Sequence, residues 1–515
     1  MEARQILSAD APAASGALPV PLGASRATPG WARGAIAWLE RQALFVAALA
    51  AVAGVILGKV PSHMNQDGWL ALVDGRYVAR HGIPHSDTLA VITHGARWID
   101  QQWLAQLAIY GLHQLGGLPL YSIVYVALTV GALAMAIVAA RRLGGSETHV
   151  VWVLPVAAFL YCAGSSQIRT QGFAYPLFVG VLWLLAAEIR APSRRRVYLV
   201  FPLLVLWGNL HGSASLGAGL VALYGVSVLV EDLRAGRPWR VRGRGPAFAI
   251  GAPLCLLLTP YGISGLSYYR ATLMNPVFKA LVSEWQPVTS SAVLAIPFFA
   301  AALATVWLLG RSGGRARLFE ALALLALIAG AISAVRNVTW FGLAAIVLLP
   351  SMLSEIAPPR PPAPRRRRLN LALVGASAAF LLVSLIAVAT KPSSWFESGY
   401  DARALSQVAA VVHRQPGVRI YADGHFADWL QWHDPSLAGH LAYDSRLELL
   451  TAAQMRGLAT LGEIRAPGAR DPLAGYGLLV LETTDGASRL LLDQPGTHAI
   501  LRGHGVTVAT RSGAQ

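Results

Sequence analysis

Charged side chains are scarce in this 515-residue sequence. Asp, Glu, Lys and Arg together make up 13% of it, whereas 55% is apolar. Soluble globular chains carry about 25% charged residues, and a single apolar core stops growing at roughly 250–300 residues. The apolar excess therefore needs a second solvent, and lipid is the obvious one. This composition excludes soluble cytosolic enzymes, secreted disulfide scaffolds, disordered chains and most nucleic-acid-binding proteins.

Cysteine is nearly absent as well. The chain has two cysteines, Cys162 and Cys255, and both lie inside apolar runs. A cysteine in such a run behaves as a small buried hydrophobe. The sequence therefore predicts no disulfide, no cysteine metal site and no cysteine nucleophile.

The apolar residues are grouped into runs that could each cross a membrane as a helix. A hydrocarbon core of about 30 Å needs about 20 helical residues at 1.5 Å each. Eleven runs approach this length, several of them falling short of it. They lie near 43–60, 118–140, 148–164, 172–188, 197–210, 214–231, 246–260, 291–310, 317–335, 338–354 and 369–390.

The net charge of +16 comes from arginines placed in every second connection between these runs. Such alternation is the positive-inside pattern of membrane proteins, so a nucleic-acid partner is not required. The arginine-rich connections are 141–142, 190–196, 234–244, 311–317 and 360–368. We predict that these and the N-terminus are cytoplasmic. The alternate connections then face outward; they are 61–117, 165–171, 211–213, 261–290 and the surroundings of Arg336.

Three domains are expected. Residues 1–35 are rich in Ala, Pro and Gly, which predicts a disordered cytoplasmic tail. Residues 36–390 form the transmembrane domain, with the long first outward loop 61–117. Residues 391–515 alternate strand and helix patterns, which predicts a small extracytoplasmic α/β domain with a largely parallel sheet. The predicted fold class is a polytopic α-helical membrane protein with this domain at its C-terminus.

Acidic residues are rare before residue 391, yet four aspartates fall in the first outward loop: Asp67, Asp74, Asp87 and Asp100. Asp67 follows the first apolar run by about one turn, at the expected boundary of water and lipid. A carboxylate there is partly desolvated and can act as a base; a purely structural role is the alternative. Asp74 shares a helix face with Asp67 and is otherwise solvated or paired with a neighbouring arginine. Asp87 fits a turn or cap, and Asp100 fits the N-cap of an amphipathic interfacial helix over 101–115.

Several short motifs of the chain resemble the GT-C class of membrane glycosyltransferases, in particular a bacterial branch of that class. The motifs are Asp67-x-Trp69, Gly75-x-Tyr77, Gly82-Ile83-Pro84, Asp87, Trp98-x-x-x-x-Trp103-Leu104, Arg169-Thr170-Gln171, Trp207-Gly208-Asn209-Leu210-His211-Gly212, Arg336-Asn337, Asp428-Trp429-Leu430 and Tyr443-Asp444-Ser445-Arg446-Leu447-Glu448-Leu449. The resemblance covers most of residues 40–450.

The resemblance implies an inverting enzyme of the bacterial plasma (inner) membrane that uses a polyprenyl-phosphate sugar as donor. The acceptor would be an extracytoplasmic, or periplasmic, glycan, lipid or protein. Asp67 would be the general base, with Asp87 as the second catalytic candidate. Many members of the class carry an acidic pair at the Asp67 position, whereas Gly68 follows here. The cofactor therefore stays unknown, and a divalent metal is neither required nor excluded.

A departing phosphate needs positive charge, and cations on the predicted outer side are few. Arg169, His211 and Arg336 are the candidates for donor-phosphate binding, and we expect them to converge on one outward cavity near the first loop. An arginine at membrane depth is costly unless it is paired or solvated, but Arg336 could also snorkel from a helix end. Other candidates near the site are Asp74, Asn209, Arg270 and Lys279. Asn209 and His211 could instead cap a tight turn.

Two other functions fit a chain of this composition. A transporter would carry ionisable groups or paired broken helices inside its membrane segments. The helix centres here are nearly free of ionisable groups, which favours chemistry at the outer surface. A non-catalytic cell-envelope assembly protein is the third interpretation.

Overall fold

The protein is described from a computed structural model that covers residues 30–193, 195–238, 242–312, 317–358, 366–461, 473–484 and 486–512. Most of the predicted disordered tail (1–29) and the arginine-rich linker (359–365) lie outside the described residues. From residue 30 onward the chain is mainly helical.

The first half of the chain consists of helices joined by short connections, apart from one long loop between the third and the fourth. These helices are α1 (Gly30–Arg41), α2 (Ala43–His63), α3 (Gln66–His81), α4 (Trp103–Arg142), α5 (Glu147–Ser165), α6 (Ala174–Arg190), α7 (Val200–Leu210), α8 (Ala214–Arg234) and α9 (Arg244–Cys255). The next six are α10 (Gly265–Leu273), α11 (Pro276–Leu281), α12 (Ala292–Arg311), α13 (Leu318–Ser333), α14 (Val338–Ile356) and α15 (Arg367–Ala389).

All eleven predicted apolar runs form helices. Eight helices in the described part of the chain are long and apolar enough to cross a membrane by length and composition. The three others, α7, α9 and α13, contain 11, 12 and 16 residues. At 1.5 Å a residue they span roughly 16–24 Å, which is short of a full hydrocarbon core of about 30 Å.

Helix α4 joins the predicted interfacial helix to the membrane run that follows it. The break between them falls at Gly116 and Gly117, where Gly117 adopts φ +63°, and Pro119 follows. A positive φ favours glycine because it lacks a Cβ. The first segment begins at Trp103 with Gln102 as its N-cap residue. The predicted N-cap, Asp100, instead accepts a hydrogen bond from the Gln102 N–H (3.1 Å), so that assignment was wrong by two residues.

The arginine-rich connections lie at one end of the helix bundle, and the arginine-poor connections lie at the other. At one end, carboxylates hold the arginine-rich connections together: Glu188 pairs with Arg244 (2.5 Å) and Glu355 with Arg317 (2.9 Å). At the other end, the Tyr261 hydroxyl donates to the Pro84 carbonyl (2.9 Å), which joins the connection 261–290 to the first loop. The connections that the arginine pattern assigned to the same side therefore lie at the same end of the bundle. Which end faces the cytoplasm stays a prediction.

The C-terminal residues form a small domain around a four-stranded sheet. Its elements are α16 (Ser393–Phe396), α17 (Ala402–Arg414), β1 (Ile420–Ala422), α18 (Gly424–His433), α19 (Ala452–Ala459), β2 (Leu478–Glu482), α20 (Gly486–Leu492), β3 (Thr497–Arg502) and β4 (Val506–Arg511). The strand order is β1-β2-β4-β3. Only β1 and β2 pair in parallel, while β4 pairs antiparallel with both neighbours. The predicted largely parallel sheet was therefore wrong, because β3 and β4 are consecutive strands of a hairpin.

The C-terminal domain and the first loop share one hydrophobic core. Trp69, Ile109, Phe426, Trp429 and Leu478 belong to a single buried cluster. The ring of Trp69 meets that of Tyr400 edge-on, with centroids 5.8 Å apart. The side chains of α3 that could have faced lipid therefore pack against protein, and the C-terminal domain covers the first loop.

Candidate active site

Asp67 lies in the first turn of α3, directly after a two-residue break that ends α2. Its side chain is 34% exposed. The free N–H groups of a first helical turn favour a negative charge at this position. A bend between two helices thus places an accessible carboxylate beside the C-terminal end of α2, the first candidate membrane helix.

Arg169 faces Asp67 from the connection that joins α5 to α6. The backbone at Arg169 is extended and precedes a 3-10 turn, Thr170–Phe173. The side chain is only 9% exposed, and its Nη1 donates to Asp67 Oδ2 (3.2 Å) and to Glu284 Oε1 (2.7 Å). Burial acts to lower the pKa of this guanidinium, but Glu284 and Asp67 outweigh burial and raise it. Arg169 is therefore a fixed cation between two carboxylates.

Glu284 is a residue of the site that lies outside every motif of the sequence. It lies in a 3-10 turn, Ser283–Trp285, within the connection 261–290, and its side chain is 32% exposed. Burial acts to raise the pKa of this carboxyl, but Arg169 and Arg336 outweigh burial and lower it. The available signal was that Glu284 is the one acidic residue of that predicted outward connection.

Arg336 occupies a 3-10 turn, Val335–Asn337, between α13 and α14. Its guanidinium carbon lies 4.8 Å from the centre of the Trp285 ring. The Val335 N–H donates to the Gln286 carbonyl (2.8 Å), which ties this turn to that of Glu284. Within the described ranges, no carboxylate oxygen lies within 4.0 Å of an Arg336 nitrogen. Arg336 is thus a cation held mainly by an aromatic ring.

His211 ends α7 and is buried beside these arginines. Its Nδ1 lies 2.8 Å from the Ser213 hydroxyl and 3.0 Å from the Ser213 backbone nitrogen, which donates to it. Burial, together with Arg336 and Arg169, holds the pKa of His211 well below its usual value. The imidazole is therefore neutral at pH 7. The structure thus brings the three predicted phosphate-binding side chains to one place, around Glu284 and Asp67.

The other three aspartates of the first loop belong to a separate, buried network. Asp87 is fully buried and accepts from the Leu89 N–H (2.9 Å), the Thr93 hydroxyl (2.5 Å) and Arg446 Nη2 (2.8 Å). These bonds occupy both of its carboxylate oxygens. The structure therefore places Asp87 in an ion-pair network that joins the first loop to the C-terminal domain, whereas the Asp67 carboxylate is open to solvent.

Asp74 and Asp100 lie in the same buried region. Asp74 Oδ2 accepts from Gln106 Nε2 (3.2 Å), and burial raises the pKa of Asp74 well above its usual value. Burial also raises the pKa of Asp100 to about 7. Although Asp67 and Asp74 are on one helix, only Asp67 reaches solvent, because α4 and the C-terminal domain cover the middle of α3.

The remaining candidates are spread around the site. The Asn209 side chain accepts from Trp103 Nε1 (3.0 Å) and donates to the Val205 (2.8 Å) and Leu258 (3.0 Å) carbonyls. It therefore links the end of α7 to the start of α4 and to the residues that follow α9. Arg270 is exposed on α10. Lys279 belongs to α11, and its side chain lies outside the described residues.

The C-terminal domain brings one further carboxylate near the site. Glu448 is half-buried in a 3-10 turn, Leu447–Leu449, that contacts α10. Burial raises the pKa of Glu448 to about 7. Burial and then the charge of Glu448 raise the pKa of Tyr268 of α10, while Arg336 acts to lower it.

The arrangement around Asp67 suits a reaction that separates charge. Two arginines can bind an anionic leaving group, while an exposed carboxylate beside them can take a proton. Among the described residues, no group of three or more His, Cys, Asp or Glu side chains is arranged to hold a metal ion.

No protein-family model and no curated protein matches the sequence. In fold, the chain is similar to ArnT from Cupriavidus metallidurans bound to undecaprenyl phosphate. The identity is 14% and the TM-score 0.49, over 94% of this chain and 98% of that one. It is also similar to the archaeal oligosaccharyltransferase AglB from Archaeoglobus fulgidus in complex with an inhibitory peptide and a dolichol-phosphate. Here the identity is 11% and the TM-score 0.48, over 91% of this chain and 74% of that one.

Proposed function

We propose that this chain is an inverting membrane glycosyltransferase that moves a sugar from a polyprenyl-phosphate donor to an extracytoplasmic acceptor. The observation that carries the proposal is the contact between Asp67 and Arg169. It pairs a one-third-exposed carboxylate with a buried cation, at 3.2 Å, beside the end of a membrane helix. The resemblance of the motifs around Asp67, Arg169, His211 and Arg336 supports the same reaction.

In the proposed reaction, an acceptor hydroxyl attacks the anomeric carbon of the donor sugar from the side opposite the phosphate. The Asp67 carboxylate accepts the hydroxyl proton as the new carbon–oxygen bond forms. The bond between the sugar and the phosphate oxygen breaks, and the phosphate keeps the electron pair. Arg169 and Arg336 stabilise the charge that develops on this oxygen, because charge-assisted hydrogen bonds are strongest where water is excluded.

Neutral His211 would donate a single hydrogen bond from its Nε2–H rather than add a third charge, because its Nδ1 accepts from the Ser213 N–H. Its Nδ1 lies within hydrogen-bond distance of Ser213, which leaves Nε2 to bind the polyprenyl-phosphate sugar. Asp87, by contrast, has a positioning role in this proposal. It holds Arg446 and thereby keeps the C-terminal domain over the first loop.

Replacing Asp67 by asparagine tests the proposal. Asp67→Asn keeps the size and most hydrogen bonds of the side chain but cannot accept the proton, and Arg169 keeps Glu284 as its partner. We expect transfer to fall by ~10²-fold or more, the usual scale for loss of a general base, with an unchanged melting temperature. The measurement is transfer of radiolabelled sugar from a panel of polyprenyl-phosphate sugars by the purified full-length chain in lipid nanodiscs.

A matched control is Asp434→Asn. Asp434 caps a 3-10 turn of the C-terminal domain, and asparagine caps as well as aspartate, so transfer should be unchanged. Equal activity of Asp67→Asn and the wild type would show that Asp67 is not the base. Absence of transfer by the wild type with every donor would remove the transferase proposal and favour a transporter or an assembly protein.

A further inference from the structure

The Arg169 guanidinium has too few partners for its donors. A single nitrogen, Nη1, makes both ion pairs, with Asp67 and with Glu284. The Nε–H is buried and has no hydrogen-bond partner. An unpartnered donor on a buried cation is costly, and it points to a ligand with several acceptor oxygens, such as a phosphate.

The charges at this place already balance without a ligand. Arg169 and Arg336 contribute two positive charges, and Asp67 and Glu284 contribute two negative charges. A phosphate that joined this group would add a third anion, within hydrogen-bond distance of the same guanidinium. Because like charges at this separation repel strongly in a partly buried site, binding of the phosphate requires one carboxylate to move away.

Glu284 is the carboxylate that can move. Asp67 is fixed by the first turn of the 16-residue helix α3, which is packed under the C-terminal domain. Glu284 belongs to a three-residue 3-10 turn that is flanked by extended backbone on both sides, at Val282 and Gln286. Its side chain has one more rotatable bond than that of aspartate, and one third of it already faces solvent.

We propose that Glu284 occupies the place of the donor phosphate on Arg169, and that the polyprenyl phosphate displaces it on binding. This inference rests on the proposed function and specifies how the same site is kept neutral while it is empty. The carboxylate oxygen at 2.7 Å from Nη1 stands where a phosphate oxygen would accept the same hydrogen bond. On release, Glu284 stays close to Arg336, whose guanidinium lies on the adjacent Trp285 ring.

If Glu284 competes with the polyprenyl phosphate, removing the negative charge of Glu284 should tighten binding of that lipid. Glu284→Gln removes the competing anion but keeps the side-chain size. We expect undecaprenyl phosphate to bind at least 10-fold more tightly to this variant than to the wild type. The melting temperature without ligand should fall, because Arg169 loses its nearer partner. Arg169→Gln should weaken binding by at least 10-fold.

The measurement is the affinity of undecaprenyl phosphate for the purified full-length protein in nanodiscs, with phosphatidylglycerol as the second probe. Tightening for undecaprenyl phosphate alone supports a site for the polyprenyl phosphate, whereas equal tightening for both lipids would assign the site to any anionic headgroup and overturn the inference. Glu482→Gln, on β2 and remote from the site, is the matched control and should leave the affinity unchanged. An unchanged or weaker affinity of Glu284→Gln would show that Glu284 only stabilises the fold.

A second measurement uses the wild-type protein, so it does not depend on the folding of a variant. Carbodiimide coupling of a small amine to Glu284, followed by peptide mass spectrometry, should increase when undecaprenyl phosphate is added. Unchanged or reduced coupling, while the lipid binds, would refute displacement and leave the proposed function standing. If neither the wild type nor Glu284→Gln binds undecaprenyl phosphate, the proposed function fails and this inference fails with it.

Discussion

At the scale of single residues, Arg446 shows how buried charge is neutralised between the first loop and the C-terminal domain. Its Nη2 donates to Asp87 (2.8 Å) and to Asp444, and its guanidinium lies 4.1 Å from the centre of the Trp98 ring. Burial acts to lower the pKa of Arg446, but the surrounding carboxylates, Asp444 first, outweigh burial and raise it. One arginine thus compensates the charge of several buried acids.

Replacing Arg446 should therefore destabilise the protein strongly. Arg446→Gln leaves two buried carboxylates without a counter-charge, and breaking a buried pair in this way costs about 3–5 kcal/mol. We expect a lower unfolding temperature and faster proteolysis of the C-terminal domain. Arg403→Gln is the control, because Arg403 pairs with Asp401 while 66% exposed, and an exposed pair contributes little. Equal stability of the two variants would contradict a role for Arg446 in domain docking.

At the scale of elements, helix α3 connects the site to the C-terminal domain. Asp67 lies at its start, and later turns carry the contacts that fix the helix. The Arg76 guanidinium donates to the Gln431 (2.6 Å) and Trp432 (2.7 Å) carbonyls, at the end of α18. A cation at a helix C-terminus satisfies carbonyls that lack partners within the helix. The position of the Asp67 carboxylate therefore depends on packing along the whole of α3.

Helices α3 and α4 approach each other closely at Gly75, where a Cβ would lie 2.2 Å from the Gln106 carbonyl oxygen. Gly75→Ala should therefore push the two helices apart. We expect it to lower the stability by about 1–3 kcal/mol, as overpacking does. It should also lower sugar transfer, because Asp67 lies on the helix that moves. Gly111→Ala, in α4, is the matched control, since no atom lies within 4 Å of the added Cβ. There alanine should stabilise the helix by ~0.8–1.0 kcal/mol. Thermal unfolding and the transfer assay measure both effects, and a neutral Gly75→Ala would contradict the close packing.

At the scale of the whole molecule, the arginine-rich connections and the proposed site occupy opposite ends of the helix bundle. Ion pairs such as Arg317–Glu355 hold one end together, and the first loop, the connection 261–290 and the C-terminal domain form the other. The positive-inside pattern predicts that the site faces outward.

Labelling of single cysteines with a membrane-impermeant reagent tests this orientation. In a background with Cys162→Ser and Cys255→Ser, Gln415→Cys should react in intact cells and Ala235→Cys only after lysis. Both positions are exposed, whereas a probe at Leu450 would fail because that side chain is 5% exposed. The reverse labelling pattern would place the Asp67 site in the cytoplasm.

Local patterns determined much of this protein. Apolar runs predicted where helices form, because a chain in lipid must satisfy its backbone hydrogen bonds within each segment. The arginine pattern predicted which connections share an end, and the position of Asp67 after the first run predicted a partly desolvated carboxylate there. Each of these features is a property of neighbouring residues, so it can be read from the sequence.

Only the tertiary structure decided which charges meet. Arg169 and Glu284 are 115 residues apart and Asp87 and Arg446 are 359 apart, and nothing in either local sequence specifies such a partner. The same limit explains the sheet, because a strand pattern carries no information about the direction of its neighbour. Asp67 and Asp87 were both catalytic candidates from the sequence, but burial under the C-terminal domain paired Asp87 with Arg446 and left Asp67 open to solvent. Long-range packing therefore separated the exposed carboxylate from the buried ones.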